Sequence, residues 1–262
     1  MQRAAVIEHI TDWLRSYAER AGTKGFVVGI SGGIDSAVTS TLAARTGLPT
    51  VCVEMPIHQH PNQVNRAIEH IQWLKQQFPS VESQTVELTE LFDNFIDAVP
   101  SAQNEGARAM ALVNTRARLR MTALYYFAGL RNMLVAGTGN KVEDFGIGFY
   151  TKYGDGGVDL SPIADLNKTE VYALGAELGI ISSIMDAAPT DGLWGDDRTD
   201  ADQIGATYPE LEWAMEFEGD EASLNDREKE VLAIYRKLNR ANQHKMNPIP
   251  VCEIPSALKA DS

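Results

Sequence analysis

The chain predicts a doubly wound α/β fold: a mostly parallel sheet with helices on both faces. Three observations lead there. Short β-branched runs alternate with amphipathic helical segments through the first half of the chain. Glycine or proline closes most of these runs, and two of them open into glycine-rich turns. No repeat, low-complexity tract or Ser/Pro-rich linker interrupts the alternation, which implies right-handed crossovers and a parallel sheet covered on both faces. A chain of 262 residues is long enough to bury such a core.

The elements follow in order. Residues 3–19 place Ala5, Ile7, Ile10, Trp13, Leu14 and Tyr17 at helical spacing. Phe26-Val27-Val28 marks a first strand at about 25–30, and a helix over 35–46 is ended by Gly47 and Pro49. The run from Pro49 to Pro56 is a second strand, with Cys52 inside Val51-Cys52-Val53 as a buried, inert thiol. Helical spacing returns over 62–77. A third strand is expected over 84–88, a short helix over 88–99, and the longest helix over 103–128. A fourth strand covers 132–137. Residues 137–167 are rich in glycine and aspartate and read as a long functional loop, with a second loop over 187–199. Helices are expected over 167–178, ended by Gly179, and over 225–242, announced by Ser223, Asn225 and Asp226.

Composition narrows the function classes. Hydrophobic content of 44% and charged content of 23% are those of a soluble globular protein. The net charge of −13 argues against wrapping nucleic acid, which calls for a basic stripe. No run approaches the roughly 18 apolar residues of a membrane span. The N-terminus carries acid early, unlike a signal peptide, and two cysteines make no disulfide framework, so a cytoplasmic setting is expected.

The chemistry concentrates in Gly29-Ile30-Ser31-Gly32-Gly33-Ile34-Asp35-Ser36, directly after the first strand. Glycines let backbone approach a ligand, the following helix aims its unpaired amides at the turn, and Ser31 and Ser36 add hydroxyls. That combination cradles phosphate. Asp35 repels phosphate unless a cation such as Mg²⁺ lies between them. A second cluster, Gly137-Thr138-Gly139-Asn140-Lys141-Val142-Glu143-Asp144, ends the fourth strand, and its Glu143 could complete a metal site with Asp35. A third, Thr151-Lys152-Tyr153-Gly154-Asp155-Gly156-Gly157-Val158-Asp159, suits a polar ligand, and by itself is equally a calcium-type or flexible loop. His58-x-His60 lacks a third metal ligand.

The first turn resembles the Ser-Gly-Gly-x-Asp-Ser loop of enzymes that split ATP between its α and β phosphates, the adenine nucleotide alpha hydrolase-like superfamily. With Asn114-Thr115-Arg116-Ala117-Arg118, Gly137–Lys141, Thr151–Gly157 and Ser161-Pro162-Ile163 in that order, the chain resembles the ammonia-dependent NAD synthetases from about 25 to 246. The resemblance implies ATP-dependent amidation of deamido-NAD by ammonia, through an acyl-adenylate, with release of AMP and pyrophosphate. It implies ATP contacts at Gly29, Ile30, Ser31, Gly32, Gly33, Ile34, Asp35, Ser36, Thr138, Lys168 and Thr190, with Asp35, Lys168 and Thr190 in the catalytic role. It places Mg²⁺ on Asp35 and Glu143, and deamido-NAD on Asn114, Arg118, Tyr125, Lys152, Asp155, Asp159, His244 and Lys245. Asp155, Asp159 and neighbouring carboxylates are the candidates for deprotonating ammonium. A homodimer is implied, with the long helix near 103–128 at the contact, and so is one synthetase domain over 1–262 with no glutaminase portion.

The chain also departs from that pattern. Many relatives carry Arg two residues before the proline that ends the second strand, where this chain has Glu54-Met55-Pro56, leaving Ile57, His58 and Gln59 as substitutes on the adenine side. One extra residue separates the second glycine cluster from Lys152, and Thr190-Asp191-Gly192-Leu193-Trp194 replaces the commoner Ala-Asp-Leu after the threonine. Two rival readings remain open on the first turn alone: an enzyme of the same superfamily amidating or thiolating another acceptor, and an ATP-binding sensor without chemistry. The middle cluster, Thr151–Asp159, favours the dinucleotide over the first. The joint presence of Asp35, Glu143, Lys168 and Thr190 argues against the second.

Overall fold

Four parallel strands form the sheet, in the order β3-β2-β1-β4, in a computed structural model that describes residues 1–190 and 199–259. They are β1 (Phe26–Gly29), β2 (Thr50–Glu54), β3 (Val81–Thr85) and β4 (Leu134–Val135). The helices are α1 (Arg3–Ala21), α2 (Ile34–Arg45), α3 (Pro61–Gln77), α4 (Thr89–Ala98), α5 (Glu105–Arg131), α6 (Lys168–Leu178), α7 (Ser182–Met185), α8 (Asp200–Ile204), α9 (Tyr208–Glu216) and α10 (Asp226–Met246).

Strand alternation divides the core between the two faces. Phe26, Val28 and Cys52 point to one face and pack with α1, α2, α3 and α6. Val27, Val51 and Val53 point to the other and pack with α4 and α5. Both faces of the sheet are covered, so β1 and β2 read as continuous apolar runs. Burial pushes the Cys52 thiol up to about 12, which keeps it unreactive. A third cluster lies apart from the sheet and joins Val142 and Ile147 to α9 and α10 through Tyr208, Leu211, Ala214 and Val231.

The winding reverses at β1. From β1 the chain runs outward through β2 to β3, then returns so that β4 lies on the other side of β1. Ligands of open α/β sheets bind at such a switch point, beyond the carboxyl ends of the strands. Both glycine-rich turns leave the sheet there, one after β1 and one after β4.

Most expected elements form within a few residues of their predicted ends, with three corrections. The third strand is Val81–Thr85, earlier than 84–88. It is an edge strand, and after Val81 its side chains are polar or exposed, so hydrophobic pattern pulls the eye to Val86 and Leu88, which pack under α4 and α5. The fourth strand shrinks to Leu134–Val135, followed by a single bridge from Ala136 to Leu160. Asn132 in the left-handed region still belongs to the cap of α5, and the Gly137 amide already donates to the Leu160 carbonyl. The loop over 137–167 contains a π-helix, Val142–Ile147, which sequence periodicity does not reveal. The short helices α7, α8 and α9 are also additions to the expected set.

Candidate active site

The turn after β1 has the geometry its residues require. Gly32 adopts φ +81°, and a β-carbon there would lie 2.5 Å from the Gln63 carbonyl oxygen, so only glycine fits. Gly33 is extended and leads into α2, whose first turn carries Asp35. The Gly33 amide donates to Ser31 Oγ at 3.2 Å, and the Ser36 hydroxyl donates to the Gly33 carbonyl at 2.9 Å. Ser31 Oγ and Ser36 Oγ lie 3.1 Å apart. The turn is therefore shaped by its own hydroxyls.

The sheet brings three distant charged groups together behind this turn. Lys168 Nζ donates to Asp35 Oδ2 at 2.5 Å and to Glu143 Oε1 at 2.9 Å, with only 5% of its side chain exposed. Lys168 is the first residue of α6, where the helix dipole disfavours a cation. The two carboxylates outweigh this: burial alone would lower the ammonium pKa, but Asp35 and Glu143 raise it well above its ordinary value. Burial raises Asp35 against the pull of Lys168. Glu143 is held below its ordinary value, burial notwithstanding, by Lys168 and by the Tyr208 hydroxyl.

Further residues lock this trio. Asn140 donates from Nδ2 to Asp35 Oδ1 at 3.1 Å and accepts the Glu143 backbone amide on Oδ1, so one side chain ties the Asp35 carboxylate to the start of the π-helix. The Tyr208 hydroxyl on α9 is within hydrogen-bond distance of both Glu143 and Asp200 Oδ2, the latter at 2.7 Å, and Lys168 Nζ lies 4.7 Å from its ring centre. Asp144 reaches over Gly139, where a β-carbon would stand 2.1 Å from its carboxylate. Burial and the charges of Glu143, Asp155 and Asp35 push Asp144 up to about 8. The π-helix carrying Glu143 is anchored from α10: Asn239 and Asn242 each donate to its last carbonyls at 2.7 Å.

These groups line one cavity at the switch point. Its wall includes every residue from Gly29 to Ser36, with Thr138, Glu143, Asp155, Lys168 and Thr190. Beside the end of β2, where the resemblance puts the adenine contacts, Glu54 is buried and in the wall, with burial raising its pKa. Of the expected substitutes only Gln59 reaches the cavity. Ile57 is core, and His58 turns outward to Asp93 at 2.7 Å. Arg120 crosses from α5 to bond the Met55 carbonyl at 3.0 Å and Gln59 Oε1 at 2.7 Å.

Of the other expected contacts only Asp155 is in that wall, and Asn114, Arg118, Tyr125, Lys152, Asp159, His244 and Lys245 stand outside it. Arg118 is exposed and donates to the Lys152 carbonyl at 3.3 Å, and Lys152 Nζ in turn bonds the His244 carbonyl. Lys245 Nζ donates to the carbonyls of Gly148 and Tyr150 at 2.8 Å each. Tyr125 donates to Asp159 Oδ1 at 3.0 Å, and Asp159 Oδ2 accepts the Val135 amide at 2.8 Å. Asn114 Oδ1 accepts the Thr151 hydroxyl at 2.7 Å, and Asp155 accepts the Thr151 amide at 2.9 Å. The residues after Thr190 up to Trp194 lie outside the described residues.

Among the described residues no three His, Cys, Asp or Glu side chains converge closely enough to hold a metal alone. The donor chemistry nevertheless suits a hard cation that shares its shell with phosphate. Asp35 and Glu143 offer oxygen, Asp144 and Asp200 lie nearby, and Lys168 is the cation set among them. His58 and His60 form no such site, since His60 caps α3 by accepting the Asn62 amide.

The fold and this site define an α/β nucleotide-binding protein of the adenine nucleotide alpha hydrolase-like class. The sequence profile of the NAD synthase family matches residues 6–248, and the chain belongs to that family. It is 37% identical to the NH(3)-dependent NAD(+) synthetase of Methanosarcina mazei, with 94% of this chain and 96% of that protein covered. With the enzyme of that name from Carboxydothermus hydrogenoformans it shares 36% identity, covering 91% and 93%. Among solved structures it is similar to the NMN synthetase of Francisella tularensis, with TM-score 0.86 and 30% identity over 97% of this chain and 100% of that one. The NH3-dependent NAD synthetase of Campylobacter jejuni, in complex with nitrate, superposes at TM-score 0.75 with 26% identity over 97% and 100%.

Proposed function

We propose that the chain makes NAD by amidating deamido-NAD with ammonia at the expense of ATP. The observation that carries this reading is Lys168 held between Asp35 and Glu143 directly behind a glycine turn shaped for phosphate. A carboxylate is a poor acyl donor to ammonia. In the family's reaction the nicotinate carboxylate attacks the α-phosphorus of ATP and pyrophosphate leaves. Ammonia then attacks the carbonyl of the acyl-adenylate, AMP departs, and the amide remains.

The chain's residues act mainly by position and charge. The turn amides, with Ser31 and Ser36, hold the phosphates, and Thr138 and Thr190 offer further hydroxyls from the opposite wall. Lys168, kept protonated by its carboxylate neighbours, supplies fixed positive charge for the negative charge that builds on departing pyrophosphate. Asp35 and Glu143 would hold Mg²⁺ together with phosphate oxygens, and Mg²⁺ when bound neutralises charge on those oxygens. Arg118, Lys152, His244 and Lys245, with Asn114, Tyr125, Asp155 and Asp159, are assigned to deamido-NAD. The deprotonation of ammonium is assigned to this same group of carboxylates.

A homodimer in a cytoplasmic setting completes the reading. Leu91 on α4 and Tyr126 on α5 are large, exposed apolar side chains that line one shallow apolar groove with Val86, Leu119 and Phe127, which supports a second copy there. No described helix is long and apolar enough to cross a membrane.

The likeness to an NMN synthetase over that protein's whole length favours a second reading, in which the mononucleotide is the acceptor. One endpoint assay separates the two. With ATP, Mg²⁺ and ammonium, deamido-NAD should yield NAD, AMP and pyrophosphate in equal amounts, and nicotinate mononucleotide far less. Preference for the mononucleotide would replace the first reading with the second. ATP cleavage without either amide would sink both.

A further inference from the structure

Three cations stand in the cavity wall among the described residues: Lys168, Arg120 and Arg66. Lys168 is committed to Asp35 and Glu143, and Arg120 to the Met55 carbonyl and Gln59. Arg66, on α3, differs. Its Nε donates to the Gly32 carbonyl at 3.1 Å, and among the described residues its terminal nitrogens bond no protein group. The contact is specific to the turn, because α3 packs so closely on Gly32 that any β-carbon there would meet Gln63 and Arg66 itself.

A guanidinium is planar, stays charged and presents its donors as a fork. Bonding through Nε fixes one edge of that plane at the glycine turn. The terminal donors then remain for an acceptor in the same cavity. Phosphate matches this geometry and charge, and the turn beside it is the phosphate cradle.

We propose that Arg66 is a further phosphate ligand of this site, binding the β and γ phosphates of ATP and the pyrophosphate released from them. The proposal rests on the reading of the turn as an ATP site. It adds a cation to the loop, Lys168 and Thr190, and supplies it from α3, an element no site motif covers. Its charge adds to that of Lys168 in neutralising the leaving group.

Calorimetric titration with inorganic pyrophosphate, ATP and AMP, on wild type, Arg66→Gln and Arg66→Lys, tests this. Thermal melts run beside it to establish that each variant folds. Arg66→Gln should bind pyrophosphate and ATP about tenfold more weakly and AMP equally well. In steady state, KM for ATP should rise while KM for deamido-NAD stays fixed, and Arg66→Lys should recover part of the loss. Undiminished pyrophosphate affinity in Arg66→Gln overturns the proposal. An equal loss for AMP and pyrophosphate also overturns it, since the guanidinium would then serve only the shape of the turn. Wild type that binds no pyrophosphate would bring down the ATP-site reading itself, an outcome distinct from both.

Discussion

The two halves of the site are built differently. Behind the glycine turn, Asp35, Glu143 and Lys168 come from α2, the π-helix and α6, are buried, and meet directly through the Lys168 ammonium. On the other side, Arg118, Lys152, His244 and Lys245 are occupied by main-chain carbonyls of neighbouring segments. The first half is a finished electrostatic device within one chain. The second is a set of polar side chains on α5, the 151–159 loop and α10, held in place but turned to each other. Bond-making chemistry demands charges fixed to within fractions of an ångström, whereas recognition of a long polar acceptor can be assembled on the outer segments.

The sharpest way to break this contrast is Lys168→Met. It leaves two buried carboxylates without their cation, so pyrophosphate release should fall about a hundred- to a thousandfold. Stability should fall as well, by about 3–5 kcal/mol, because a buried charge pair loses one partner. Stopped-time pyrophosphate assays and urea unfolding measure the two effects. Near-normal turnover would show that the trio is structural only.

Next in size is a pH effect between α2 and α3. His70 is fully buried under α2, with Nε2 2.9 Å from Ser40 Oγ and its ring stacked on Trp73. Burial pushes its pKa down to about 4 from 6.5, partly opposed by the Ala37 carbonyl. The unfolded chain therefore binds a proton that the folded one refuses. The stability His70 confers is complete above pH 6.5 and drains away as pH falls toward 4, by about 3 kcal/mol at most. Urea unfolding of wild type and His70→Phe across that window should show the acid slope reduced in the variant. Parallel slopes would mean that His70 titrates normally.

The smallest effect belongs to the acceptor side. Arg118 is exposed, so Arg118→Ala should leave folding intact. It should raise KM for deamido-NAD about tenfold, with KM for ATP unchanged, as expected for loss of one charge-assisted contact. Equal change in both constants, or none, would remove it from the acceptor site.

Legibility followed the same divide. The turn from Gly29 to Ser36 could be read outright, because a β-branched run, two glycines and a helix start are local facts. Lys168 was recognisable only through family resemblance, since nothing in Asn167-Lys168-Thr169 marks a lysine that will meet Asp35. Asn140 stood within a recognised cluster, but nothing there marked it as the tie between the Asp35 carboxylate and the Glu143 backbone. Arg120 and Arg66 carried no signal, for each lies in a helical pattern where surface or core is the ordinary reading, and Asp200 and Tyr208 lie on short helices that the sequence did not announce. His58 and Ile57 were drawn to the adenine side by sequence position alone. Thr89 and Asp93 turn His58 outward, and the second core takes Ile57.

By itself the sequence determined the parallel α/β architecture, the glycine turn after β1 and the set of chemical groups available. Periodicity, glycine placement and helix caps act within a few residues and need no distant partner. Only the tertiary structure decided which charges meet. Lys168 lies 133 residues from Asp35, and Tyr208 lies 65 from Glu143. A buried ammonium takes its pKa from whatever carboxylates the sheet and helices deliver beside it, and that delivery is a property of the packed fold.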